Sequence, residues 1–154
     1  VAEFRNAIAE MQQQGEELRR SRIAAEFNQY IAEWRQIAES INTARDGYDH
    51  NKKSPEEIFR GLRQSTNHEA KNRYCTSYIN MLSLLLGRLR ELDTEGQHEG
   101  YGTMVRRRIL SLVGYSELEV LRSLKDWVKK DREEIKEMLD DPLFAMISEI
   151  PRNP

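Results

Sequence analysis

Hydrophobic positions along residues 1–48 step by three and four. Phe4, Ile8, Met11, Gly15 and Leu18 form a first, thin seam, with the polar Gln12, Gln13 and Gln14 inside it. The seam then slips by one residue. Ile23, Phe27, Tyr30, Trp34, Ile37, Ile41, Ala44 and Tyr48 carry it on. Three-four spacing puts apolar side chains on one face of a helix, so the pattern predicts one very long helix, or two collinear ones, over 1–48. At ~1.5 Å per residue such a helix reaches roughly 70 Å. That exceeds a compact domain of this size, so part of it is expected to project or to pair with another chain. The aromatic-bearing second series should be the part that packs. Ile23, Phe27, Tyr30, Trp34, Ile37 and Ile41 are the expected self-association residues, at least where the helix outruns the core.

Residues 45–53 are a charged, turn-rich break. Ser54-Pro55-Glu56-Glu57 then starts a short helix, with Ser54 as cap, Pro55 at the first helical position and Glu57 closing a capping box. Thr66 or Asn67 can cap the next helix, which runs to about Leu92. Its apolar residues fall on two overlapping series: Tyr74, Tyr78, Leu82, Leu85, Leu89, Leu92, and Cys75, Ile79, Leu82, Leu86. A helix apolar over so much of its circumference is the expected centre of the core. Residues 94–102 read as a loop with three glycines, followed by a helix over 103–113. Ser116-Glu117-Leu118-Glu119 reads as a second capping box, opening a helix to about Leu139 with Leu121, Leu124, Val128, Ile135 and Met138 inward. Asp141-Pro142 caps a last helix bearing Leu143, Phe144, Ile147 and Ile150. No segment alternates apolar and polar with period two, so no strand is predicted. The expected fold is all-α: a long N-terminal helix (1–48) packed on an antiparallel helical bundle (54–150), together forming one domain.

Composition narrows the classes of function. Only 38% of the 154 residues are hydrophobic and 32% are charged, which suits long, solvent-washed helices better than a thick globule. The net charge of −2 supplies no field favouring nucleic acid or an anionic membrane. A single cysteine, Cys75, excludes an internal disulfide and fits a cytoplasmic location. The longest apolar run, Leu84-Leu85-Leu86, is far too short to span a bilayer. The chain starts at Val1 in mid-helical pattern, so a preceding segment is expected.

Candidate chemistry is sparse. Glu95-x-x-His98 has di-iron spacing but sits between glycines without a second copy, so no metal and no cofactor is expected. Cys75 on the apolar face of a helix reads as a small buried hydrophobe. Arg106-Arg107-Arg108 reads as a solvated face, or as a partner for the acidic run over 131–141, rather than as a phosphate contact. Arg45-Asp46-x-x-x-His50 and Arg63-Gln64-x-x-x-His68 share one pattern. It resembles the short motif of HEPN ribonucleases, all-helical proteins in which Arg and His assist 2′-hydroxyl attack on RNA. That resemblance implies a metal-independent RNase with Arg45, His50, Arg63 and His68 as its catalytic residues. It is the alternative to a non-catalytic reading.

A broader pattern covers residues 12–18, 27–41 and 78–92, then Tyr101, Arg107 or Arg108, and Leu110 with Ser116-Glu117-Leu118. It resembles the phage abortive-infection proteins, bacterial proteins with N-terminal membrane helices, a charged Gln/Glu-rich helix and a helical cytoplasmic domain. The run between the Arg and the Ser-Glu-Leu segment is longer here than in that family. The resemblance implies a membrane-tethered sensor or adaptor in phage defence, its tether preceding Val1. The expected function is thus protein interaction or signal relay, with a protein partner or a second copy and no small-molecule substrate.

Overall fold

The computed structural model describes residues 1–48, 75–96, 100–127 and 133–152. These are all-α, with no strand among the described residues. The helices are α1 (Ala2–Tyr48), α2 (Ser77–Glu95), α3 (Tyr101–Leu112), α4 (Tyr115–Trp127), α5 (Glu133–Leu139) and α6 (Pro142–Glu149). Residues 45–48 of the expected break belong to α1, which continues to Tyr48, and the rest of that segment lies outside the described residues. No proline interrupts α1, and its N-terminal half is rich in Ala, Glu, Gln and Arg, which sustain long helices. The short helix expected at Ser54 and the cap at Thr66 or Asn67 lie outside the described residues.

Helix α2 runs antiparallel to α1. Arg19 meets Glu95 at 3.0 Å, Arg88 meets Glu26 at 2.7 Å, and the rings of Trp34 and Tyr78 lie 5.3 Å apart. Increasing numbers on one helix thus match decreasing numbers on the other. Leu82, Leu85, Leu86 and Leu89 are completely buried, where the two apolar series of α2 overlap. They are surrounded by Phe27 and Trp34 of α1, Ile109 of α3, Leu121 and Leu124 of α4, Met138 of α5 and Leu143 of α6. Helix α2 is therefore the centre of the core, as its periodicity predicts.

The starts of two helices differ from the sequence reading. Helix α3 begins at Tyr101, so the third glycine of the expected loop, Gly102, lies inside the helix. A Cβ there would stand 2.2 Å from Oδ1 of Asp93 and 2.8 Å from Nη1 of Arg106. The glycine lets α3 close onto the end of α2 rather than marking a turn. The helix expected over 116–139 is described as α4 and α5, with 128–132 outside the described residues, Val128 among them. Helix α4 starts at Tyr115, one residue before the expected cap, and the Glu119 carboxylate accepts from Arg122 one turn on. By contrast Asp141 caps α6 as expected, accepting from the Leu143 N–H at 2.9 Å with Pro142 at the first helical position.

Candidate functional site

The N-terminal half of α1 stands apart from the bundle. Every residue from 1 to 22 is exposed, and burial begins at Ile23. Because α2 ends at Glu95, beside Arg19, nothing in α2 accompanies α1 beyond that level. Residues 1–18 therefore form an arm of roughly 27 Å at ~1.5 Å per residue. The arm is not uniformly polar: Val1, Phe4, Ile8, Met11 and Leu18 are exposed by 95, 71, 42, 70 and 60%. Their one-residue slip against Ile23 and Phe27 is a rotation of roughly 100° about the helix axis at 3.6 residues per turn. The arm's stripe thus faces away from the direction in which α1 packs on α2. Single exposed hydrophobics are ordinary, but a contiguous stripe marks a contact surface.

The residues expected to self-associate are placed elsewhere. Ile23, Phe27 and Trp34 are buried in this chain's own core, Tyr30 and Ile37 are half-buried against it, and the Ile41 side chain lies outside the described part. The core face of α1 is Ile23, Phe27, Ile31, Trp34 and Ala38. Ile31 and Ala38 were missed because Tyr30 and Ile37, adjacent to them, fit the three-four spacing equally well. Three of the six side chains are thus covered by helices of the same chain.

Two polar networks fasten the bundle. Arg106, 3% exposed, donates from Nε and Nη2 to the two carboxylate oxygens of Asp141, 2% exposed, at 2.8 and 3.0 Å. Arg90 adds a bond of 3.1 Å to Asp141, and Asp93 meets Arg106 at 3.0 Å. Burial works against the Arg106 charge, but the bonds it donates to Asp141 and Asp93 prevail and raise its pKa. The triplet Arg106-Arg107-Arg108 is therefore divided. Arg106 does partner the acidic run, through Asp141, while Arg107 and Arg108 are exposed and Arg108 donates to Asn28 on α1.

In the second network Arg35 Nη1 donates to both oxygens of Glu117 at 2.9 Å, and the Tyr78 hydroxyl donates to the same carboxylate at 2.9 Å. Burial first, then the neighbouring Glu117 charge, hold the Tyr78 phenol well above its usual range. The Arg35 guanidinium also lies 5.1 Å from the centre of the Trp34 ring. Among the described residues, Trp34 Nε1 is the one buried side-chain polar atom without a hydrogen-bond partner. Leaving it so is unfavourable by about 1–3 kcal/mol, which the ring's packing against Tyr78 and Arg35 offsets.

An open cleft of about 460 Å³ lies between α1, α2 and α5, lined by Tyr30, Arg88, Arg90, Glu91, Glu134 and Glu137 among others. Its cations are committed: Arg88 to Glu26 and Glu91, and Arg90 to Asp141. With both of these cations neutralised, the cleft holds no uncommitted positive charge for an anionic ligand among the described residues. The alternative catalytic set cannot be assembled from what is described. His50, Arg63 and His68 lie outside the described residues, as does His98, and the Arg45 side chain at the end of α1 does too. Cys75 is buried, as its helical position predicted. Among the described residues no group of three or more His, Cys, Asp or Glu could hold a metal ion, and no helix is long and apolar enough to cross a membrane. In comparison with known proteins, no family model matches the chain, and no curated protein or solved structure shows significant similarity to it.

Proposed function

We propose that this chain is a helical protein-interaction or signal-relay domain, in which a self-sufficient bundle holds out the N-terminal arm as its contact surface. The observation that carries this reading is the stripe of Phe4, Ile8, Met11 and Leu18. It is exposed along its whole length and turned away from the bundle's own core. Apolar side chains presented in this way gain from burial only against another surface, at roughly 25 cal/mol per Å². Ion pairs of Arg19 with Glu95, Glu26 with Arg88 and Arg35 with Glu117 fasten α1 to α2 and α4 and so position the arm, while the stripe has no role in the described core. The resemblance to phage abortive-infection proteins supplies a setting for this reading, since a continuous helix leaving a bundle suits a relay between a tether and a partner.

A photo-crosslinking amino acid placed at Met11 tests the reading in living cells. Adducts with protein are expected from position 11 and not from position 13, where Gln13 lies on the opposite side of the helix. Equal labelling from both positions, or none from either, contradicts it.

A further inference from the structure

We propose that the arm's stripe takes a basic amphipathic helix of another protein, whose apolar face lies on the stripe and whose lysines and arginines meet the arm's carboxylates; this rests on the interaction-domain reading above and names the chemistry of the partner. Phe4, Ile8, Met11 and Leu18 follow the three-four spacing against which a second helix packs, and all four are exposed. The flanks of the stripe decide which kind of helix fits.

Residues 1–18 carry Glu3, Glu10, Glu16 and Glu17 against Arg5, four acids to one base, for a net charge of −3 in a chain whose total is −2. All five side chains are exposed. None of the four carboxylates is ion-paired among the described residues, and Glu17 accepts only from the neutral Gln13. Where α1 lies on the bundle, by contrast, Glu26 is matched by Arg88. The arm therefore holds negative charge that its own chain does not answer.

That charge is ordered. Glu3, Glu10 and Glu17 recur every seven residues, close to two full turns, so they form one row with steps of roughly 10 Å. Each stands one residue before a stripe position: Glu3 before Phe4, Glu10 before Met11 and Glu17 before Leu18. One residue is roughly 100° of rotation, so the row follows the stripe along one side. Arg5 comes two residues after Glu3, roughly 200° further round, and lies on the other side. Charged rows beside an apolar seam select the partner helix by sign. Here they select lysine and arginine. They disfavour a second arm, which brings the same net charge of −3, and equally an anionic membrane or a nucleic-acid backbone.

The area sets the strength. A helix about 10 Å across and roughly 27 Å long presents roughly 850 Å² of lateral surface. One neighbouring helix covers less than half of it, so less than about 850 Å² is buried on the two sides together, below the size of a standard stable interface. The contact is accordingly weak and reversible, with a dissociation constant of about 10–500 µM. Its exposed charges make it sensitive to salt. Such a contact suits a relay, which has to release its partner.

Fluorescence anisotropy of the whole chain with a labelled synthetic helix tests this chemistry. The probe has about three heptads, with Leu at the two seam positions and Lys beside them; its twin carries Glu in place of Lys. The Lys peptide is expected to bind in the stated range at about 50 mM salt and at least fivefold more weakly at about 500 mM, and the Glu peptide not to bind. Glu3→Gln, Glu10→Gln and Glu17→Gln together should weaken the Lys peptide at least tenfold, and so should Met11→Gln alone. Met104→Gln, at an exposed hydrophobic outside the arm, should leave it unchanged. Equal binding of the two peptides, no binding of the Lys peptide up to about 1 mM, or binding untouched by the triple substitution overturns the proposal. In cells, the protein segments joined to a crosslinker at position 11 should be rich in Lys and Arg. Adducts with neutral or acidic segments, or with a second copy of this chain, overturn the basic partner and leave the interaction reading standing, whereas the absence of any adduct contradicts that reading itself.

Discussion

Arg106 on α3 and Asp141 at the start of α6 form a two-bond ion pair at 2.8 and 3.0 Å, with both side chains almost wholly withdrawn from water. The same carboxylate caps α6 and receives Arg90 from α2, so one side chain joins three helices. Replacing one partner of a buried pair leaves the other charge uncompensated, typically at a cost of about 3–5 kcal/mol. Asp141→Ala is expected to lose that much in urea unfolding. Asp141→Asn keeps a good capping side chain and should lose measurably less. Equal losses would mean that the charge, rather than the cap, is what Asp141 contributes.

Gly102 tests how tightly α3 closes on α2. A methyl group there would stand 2.2 Å from Asp93 Oδ1, and Asp93 is exposed enough to swing outward, whereas Arg106 is enclosed. Gly102→Ala should therefore give up the Arg106–Asp93 contact and cost about 1–3 kcal/mol, the usual penalty of overpacking. This outweighs the helix propensity gained on replacing glycine by alanine, about 1 kcal/mol. A net stabilisation in thermal unfolding would show that the close approach is not tight.

Leu85 lies at the middle of the central helix and is completely buried. Leu85→Ala should cost about 2–5 kcal/mol, the range for a large aliphatic residue removed from a packed site. A loss below about 1 kcal/mol in chemical denaturation would make α2 peripheral, against its place in the core.

Tyr78 should give the chain an alkaline limit. Its folded pKa is raised by burial and by Glu117, so the native state holds the phenolic proton more tightly than the unfolded chain does. The associated stability is complete below the unfolded value of about 10 and declines as pH rises from there through the folded value. Tyr78→Phe should flatten that decline in unfolding measured between about pH 9 and 11. Tyr30 and Tyr101 are also raised and will keep a remainder of it. A slope unchanged by Tyr78→Phe would remove Tyr78 as its source.

The fold was largely legible because helical periodicity is a strong signal in a chain with few prolines. The double apolar series of α2 placed Leu82, Leu85 and Leu89 at the centre, and the Asp-Pro pair placed the start of α6. What escaped was identity within a pattern. Arg106 was hidden in a triplet of identical residues, yet Gly102, Val105, Arg106 and Ile109 follow the spacing of one buried helix face. That phase was the clue. Tyr30 and Ile37 were preferred over Ile31 and Ala38 because three-four spacing admits two adjacent stripes. The one-residue slip after Leu18 was visible, but its consequence was not. Only the end of α2 at Glu95 shows that the first stripe lies beyond the bundle and points elsewhere.

The division between a bundle that stabilises itself and an arm that serves contact is the centre of this account. Equilibrium urea unfolding of the chain lacking residues 1–18, compared with that of the full chain, tests it most directly. The account predicts the same free energy of unfolding within about 0.5 kcal/mol, the range of surface changes away from packed features. A truncated chain less stable by about 2 kcal/mol or more would place the arm's apolar stripe in the chain's own stability and contradict it.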